Sequence, residues 1–210
     1  MRVTISNPYW EAVKDCVEPD SFQGNPVVGE FRLDLSVEEC MARTPNRQRL
    51  ARKYCWTIPD PDTVAFVATH AQGGLVDPMA GTGYWAYLLA QVGVDVVCYD
   101  LNPGTELTTN GWHGDDLYAE VRAKDCAEAV ALHPDRTLFL SWPPHGQEVG
   151  TRTLTAYQGN RVIYVGEGHG GGTGDDQLHL MLDTDWTEVD SCLPVRWWGQ
   201  RDRVTVYERG

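Results

Sequence analysis

Between Leu75 and Gly104 the chain reads LVDPMAGTGYWAYLLAQVGVDVVCYDLNPG. A short apolar run meets Asp77. Gly81 and Gly83 then precede a helical stretch, and a second apolar run closes on Asp100, 23 residues after Asp77. Glycines at a strand-to-helix turn let the backbone approach a ligand closely. The helix that follows offers unpaired N–H groups. A carboxylate at the tip of the next strand can accept both hydroxyls of a ribose. The spacing points to an adenosine-bearing ligand, either a dinucleotide or S-adenosylmethionine (SAM). The turn lacks the full glycine fingerprint, since Ala86 stands three residues after Gly83, but the looser form allows alanine there.

These residues need a sheet to hold them, and the rest of the chain supplies one. LVD reads as a short strand, YWAYLLAQVG as a helix and VDVVCYD as a buried strand. AEVRAKD alternates as a third strand ending in Asp125, 25 residues after Asp100, and CAEAVALH follows as a helix. TLFLSW and RVIYVGEG read as a fourth and a fifth strand, GDDQLHLMLD as a helix, and EVDSCLPV with DRVTVYER as a final strand pair. Strands alternating with helices predict an α/β, Rossmann-like sheet, mostly parallel, with helices on both faces and a terminal antiparallel pair. Before residue 60 the chain reads as loop-rich. SVEECMAR forms a short helix capped by Ser36, and 46–56 forms a helix ended before Pro59. Asp60 and Pro61 start a helix over 60–71. We therefore expect a lid or substrate-covering segment over 1–59 and a ligand-binding domain over 60–210.

The combination resembles the class I SAM-dependent methyltransferases over about residues 60–208. VDPMAGTGYW is similar to their first motif, VVCYD to the second, VRAKDC to the third and LFLSWPPHG to the fourth. The chain is also similar to an uncharacterised methyltransferase-like family through GTGYWA, HPDRTLFLSWPP, GEG followed by glycines, and a terminal VYER. The resemblance implies SAM or S-adenosylhomocysteine (SAH) as cofactor. It implies that Asp77, Gly81 and Gly83 hold the methionine end, Asp100 the ribose and Asp125 the adenine amino group, with the Cys126 N–H facing the ring. Asp116 competes with Asp125 for that role. Met79, Ala80, Tyr84 and Trp85 of the turn, Leu101, Ser141 and Arg52 complete the expected cofactor set. Arg52 would pair with the SAM carboxylate from a segment lying over the site.

SWPPHG invites comparison with enzymes that methylate exocyclic amines, which place Asp, Asn or Ser directly before the two prolines. Here that residue is Trp142, which has no acceptor atom. Ser141 comes one residue early and should point to the other side of an extended strand. Trp142 is expected instead as a wall for the methyl acceptor. His145 and Glu167, just beyond strand ends, are the candidate general bases. Tyr54 is the next candidate, and His113 and His169 are weaker ones. GEGHGGGTGDD, with six glycines in eleven residues, reads as a loop that closes over substrate or as a flexible connector.

At 210 residues and 42% hydrophobic, the chain suits one sizeable core. No apolar run approaches a membrane span, and the N-terminus lacks an apolar signal segment, so a cytoplasmic protein is expected. The six scattered cysteines read as reduced thiols without metal spacing. A net charge of −13 argues against nucleic acid as a partner. The expectation is a monomer or homodimer that transfers a methyl group to a nitrogen or oxygen of a small molecule. Two alternatives remain at this point: an enzyme that cyclises or cleaves SAM itself, and a non-catalytic SAM-binding module.

Overall fold

The structure is a computed structural model describing residues 5–20, 26–29, 34–104, 113–114 and 116–209. Its centre is built from β3 (Leu75–Asp77), β4 (Val96–Asp100), β5 (Val121–Ala123), β6 (Thr137–Ser141) and β7 (Arg161–Gly166), followed by β8 (Thr187–Cys192) and β10 (Arg203–Glu208). They form one seven-stranded sheet in the order β5-β4-β3-β6-β7-β10-β8. The first five pair in parallel, and β10 runs antiparallel to both β7 and β8. This is the expected Rossmann-like sheet with its terminal antiparallel pair. The strand order reverses between β3 and β6, which opens a crevice at their carboxyl ends.

Side-chain alternation sends successive residues to opposite faces. Leu75, Phe139, Ile163 and Val165 join one core; Val76, Leu138, Leu140, Val162 and Tyr164 join the other. Both faces are covered, so β3, β6 and β7 are almost wholly buried, while the edge strand β8 is mostly exposed. The covering helices include α4 (Pro61–His70), α5 (Tyr84–Ala90), α6 (Cys126–Ala131) and α8 (Asp176–Asp185). Asp60 caps α4 by accepting from the N–H groups of Asp62 and Thr63, as its sequence position requires.

Two features depart from the reading of the sequence. The first lies in the N-terminal part, which is more ordered than its turn-rich composition suggests. Besides the two expected helices, α2 (Val37–Arg43) and α3 (Arg47–Lys53), it contains α1 (Pro8–Val13), β1 (Val17–Pro19) and β2 (Pro26–Val28). Residues 21–25 and 30–33 of the expected turns lie outside the described residues. β2 pairs with β1 and, in parallel, with β9 (Arg196–Trp197) from the far end of the chain. Tyr9 and Val13 enter the same core as Leu75 and Phe139. A six-residue helix and a two-residue pairing across the whole chain leave almost no local periodicity to read.

The second is α7 (Val149–Ala156), which has two mid-helix threonines that bond back to carbonyls four residues earlier. Threonine's low helix propensity hides that helix in the sequence.

Candidate functional site

A cavity of about 360 Å³ opens at the carboxyl ends of β3, β4 and β6, where the strand order reverses. Its floor begins with Asp77, the last residue of β3. Asp77 is buried, and its Oδ1 accepts the Met79 N–H at 3.2 Å. Burial raises its carboxyl to about 8; the Met79 bond opposes the shift and the nearby Asp100 charge adds to it. At neutral pH this is a carboxyl that burial holds mostly neutral.

The turn that follows needs its glycines for two different reasons. Gly81 has φ +55, lines the cavity and donates its N–H to Asp100 Oδ2 at 3.0 Å. Gly83 has φ +71 and does not line the cavity. A Cβ there would meet Val121 Cγ2 at 3.0 Å and Ala119 Cβ at 3.1 Å, so this glycine admits a close approach of protein to protein. Tyr84, expected at the ligand, is fully buried instead. Its hydroxyl donates to Asn7 Oδ1 at 2.8 Å and accepts the Tyr9 N–H at 3.0 Å, which ties α5 to α1.

Asp100 lies at the tip of β4, as expected. Its Oδ1 accepts the Asn102 N–H at 3.1 Å and stands 3.8 Å from His113 Nε2. Burial would raise this carboxyl, but the imidazole and the two backbone N–H groups outweigh it and hold it below the ordinary value. Two acids of one cavity are thus driven apart, Asp100 toward ionisation and Asp77 toward neutrality.

Asp125 and Cys126 line the cavity beyond Asp100. Asp125 caps α6 through Ala127 N–H at 3.0 Å, and both its oxygens accept from Arg152 at 2.9–3.0 Å. Burial would raise its carboxyl, but Arg152 together with the Ala127 and Glu128 N–H groups outweighs it and leaves it lowered. Asp116, its competitor, lies in a neighbouring groove with Arg49, Arg52 and Lys53. Arg52 therefore does not reach the cavity expected of it; its carbonyl accepts the Gly114 N–H at 2.6 Å.

At the other end stand Ser141, Trp142 and Pro144 after β6. Ser141 and Trp142 both line the cavity, although strict alternation would separate them. The reason is a φ of +52 at Trp142, where the chain leaves the extended conformation; no other non-glycine among the described residues has a positive φ. The Trp142 ring stacks on Trp56 at 5.4 Å and 19°. Tyr54, Cys55 and Trp56 close this side. Tyr54 O accepts a 2.5 Å hydrogen bond from Thr82 Oγ1, tying that segment to the glycine turn.

The two leading base candidates lie elsewhere. His145 is exposed and does not line the cavity. Glu167 is buried, but Oε2 accepts the Gly172 N–H at 2.5 Å and Oε1 the Arg201 N–H at 2.6 Å. That carboxylate organises the glycine-rich loop. Thr173 Oγ1 also accepts the Glu167 N–H at 2.9 Å, and Gly174 N–H donates to Pro143 O at 2.8 Å, so the loop is tied down. His169 is exposed beside Asp183, and Trp197 is buried with its indole donating to Tyr9. His113, ranked low in the sequence, does line the cavity. Sequence reasoning missed Gln147, Val149 and Arg152, of which the last two belong to the unread α7.

No protein-family model matches this chain, and no curated protein matches it in sequence. Among solved structures it is similar to a magnesium protoporphyrin IX methyltransferase from Synechocystis PCC 6803 with bound SAM (14% identity, 71% of this chain and 79% of that one, TM-score 0.45). It is also similar to an rRNA methylase from Streptococcus thermophilus (15% identity, 72% and 96% of the chains, TM-score 0.42). A methyltransferase of calicheamicin biosynthesis in its SAH-bound form is similar at 13% identity over 83% and 58% of the chains, TM-score 0.40. The fold assignment rests on the strand order and pairing described above.

Among the described residues, no group of His, Cys, Asp and Glu is placed to hold a metal ion. No helix among them is long and apolar enough to cross a membrane.

Proposed function

We propose that this protein binds SAM in the cavity at the strand reversal and transfers its methyl group to a nitrogen or oxygen of a small molecule. The observation that carries this reading is the pairing of two unlike acids in one cavity. Asp100, ionised at a strand tip, is suited to accept ribose hydroxyls. Asp77, buried and held neutral up to about pH 8, is suited to a ligand that brings its own positive charge. A molecule with both a ribose and a cationic amino-acid arm satisfies both. Trp85 adds a donor: it lines the cavity, and its buried indole N–H has no hydrogen-bond partner among the described residues. The cavity volume lies at the small end of the range for ligand pockets, about 300–1,000 Å³, and suits one nucleoside-sized molecule.

Bound SAM would supply an activated methyl group. The chain's own residues would orient it: Asp77 and the Gly81 turn at the amino-acid arm, Asp100 at the ribose, and Asp125 with Cys126 at the adenine. Trp56, Trp142 and Tyr54 would wall the acceptor end and exclude water. Alignment alone can contribute about 7–11 kcal/mol to such a displacement. The net charge of −13 supports a small-molecule acceptor over a nucleic acid.

A second reading draws on the placement of His145 and Glu167 outside the cavity. A reaction of SAM's own aminobutyryl arm, with its carboxylate as nucleophile, needs no protein base. Calorimetry with SAM, SAH and NAD tests the ligand; NAD binding alone would defeat both readings. Labelled SAM in a metabolite extract then separates them. A labelled methyl in a new product supports transfer, and release of methylthioadenosine supports the second reading.

A further inference from the structure

Trp142 is held in place from several directions at once. Its φ of +52 belongs to a region that bulky L-residues avoid, and such a conformation persists only where the surroundings over-determine it. Four contacts do so. The backbone N–H donates to Val165 O at 2.9 Å, continuing the β6–β7 ladder. The ring stacks on Trp56, and the Arg47 guanidinium stands 5.4 Å from the centroids of both rings. The indole Nε1–H donates to Asp202 Oδ2 at 3.2 Å. Asp202 itself is buried just before β10; the same Oδ2 accepts from Thr57 Oγ1 at 2.8 Å, and Oδ1 has no hydrogen-bond partner among the described residues. Nothing in the sequence reading singled out Asp202.

We propose that Asp202 is a positioning residue whose carboxylate fixes the Trp142 indole as a rigid wall of the cavity. That this wall faces a methyl acceptor rests on the function proposed above; the positioning does not.

The fixing has a pH dependence. Burial raises the Asp202 carboxyl to about 6; the Thr57 and Trp142 hydrogen bonds pull it back down. Of the charged and titratable groups packed around it, Glu167 after β7 pushes it up and Arg47 of α3 pulls it down. Cys55, Tyr9 and Tyr164 also face it and stay neutral in this range, since burial raises all three. Below its midpoint Asp202 is protonated, and a neutral acid accepts more weakly from the indole than a carboxylate does. The wall should therefore loosen as pH falls through the Asp202 midpoint.

Two stacked indoles couple their transitions and produce a couplet in circular dichroism. In the full chain this couplet should shrink as pH falls from about 8 to about 5, with a midpoint near 6. Trp142→Phe should abolish it, which assigns the signal. Asp202→Asn, with no titrating group, should remove the pH dependence. Thr57→Val, which loses a bond to the ionised form, should move the midpoint upward. A couplet constant over this range in the native chain overturns the proposal, as does an unchanged profile in Asp202→Asn. Should Asp202→Asn not fold, an unmoved midpoint in Thr57→Val overturns it instead. SAH affinity, measured alongside, should stay within about two-fold in Thr57→Val, because the adenosine end lies on β3 and β4. Failure of SAH to bind the native chain would defeat the proposed function and leave the couplet test standing.

Discussion

The two ends of the cavity are built by opposite means. At the β3–β4 end, positive φ falls on Gly81 and Gly83, residues for which it carries little strain, and the acids sit at strand ends a fixed distance apart in sequence. At the β6–β7 end, positive φ falls on a tryptophan, held by Arg47, Trp56, Val165 and Asp202 from four separate segments. The first end is made by local chain chemistry. The second is made by non-local contacts that overrule a local preference. An end of the first kind should tolerate perturbation elsewhere in the molecule. An end of the second kind should respond to every one of its supports.

The largest expected effect tests the first end. Its buried acid is a cost to folding when no cationic ligand is present. Asp77 titrates at about 8 folded and near the ordinary 3.8 unfolded. The unfolded chain releases that proton first, so stability falls as pH rises from about 4 to about 8 and is level outside that window. The cost reaches about 5 kcal/mol at the upper end. Asp77→Asn should therefore raise the denaturation midpoint at pH near 8, with the gain fading toward pH 4, while weakening SAM binding. Parallel stability curves for the two chains across this range would remove the neutral buried acid from the argument. In the native chain, a cationic ligand should bind with net proton release near neutral pH, read from calorimetry in two buffers.

The glycine pair gives the next effect and separates two uses of one residue type. Gly83→Ala meets both the positive φ and the crowding against Val121 and Ala119. It should cost about 2–4 kcal/mol of stability. Gly81→Ala meets the φ alone, since its Cβ would touch His113 at an ordinary 3.6 Å. It should cost about 1–2 kcal/mol. Equal losses by urea denaturation would mean that the two glycines do the same work.

This contrast also explains what the sequence discloses. Asp77, Gly81, Asp100, Asp125 and Ser141 reach one cavity because strand-end position follows from hydrophobic runs and turn residues, both local signals. The central sheet was legible for the same reason, down to the Ser36 and Asp60 caps. His145 and Glu167 were misplaced because a residue just past a strand end can face either way. There the outcome depends on a left-handed Trp142 and on backbone N–H groups from the 170s and 201. Asp202 and Arg47 carry no local signal, since their partners lie up to 153 residues away. Pairing of β2 with β9 is silent for the same reason.

Asp100→Ala should come third in size. It deletes the ribose acceptor and the partner of the Gly81 N–H together. An expected loss of about 1–3 kcal/mol in SAH affinity corresponds to roughly ten- to a hundred-fold, with the chain still folded. If affinity holds, the ribose lies elsewhere and the local end of the cavity is only a turn.

The smallest effect belongs to Asp125, which has two structural duties besides its proposed contact with adenine. As the cap of α6 it accepts the Ala127 N–H, and asparagine can do the same. Its pair with Arg152 is solvent-exposed on the arginine side, where such pairs add little to stability. Asp125→Asn should therefore change stability by less than about 1 kcal/mol, a shift that salt reduces further. Ligand affinity discriminates more finely. An adenine amino group competing with Arg152 for one carboxylate should lose several-fold in affinity when the charge goes. Arg152→Met, which frees the carboxylate, should leave affinity unchanged or improve it. A loss of affinity in Arg152→Met would instead assign adenine recognition to α7, the helix that the sequence did not disclose.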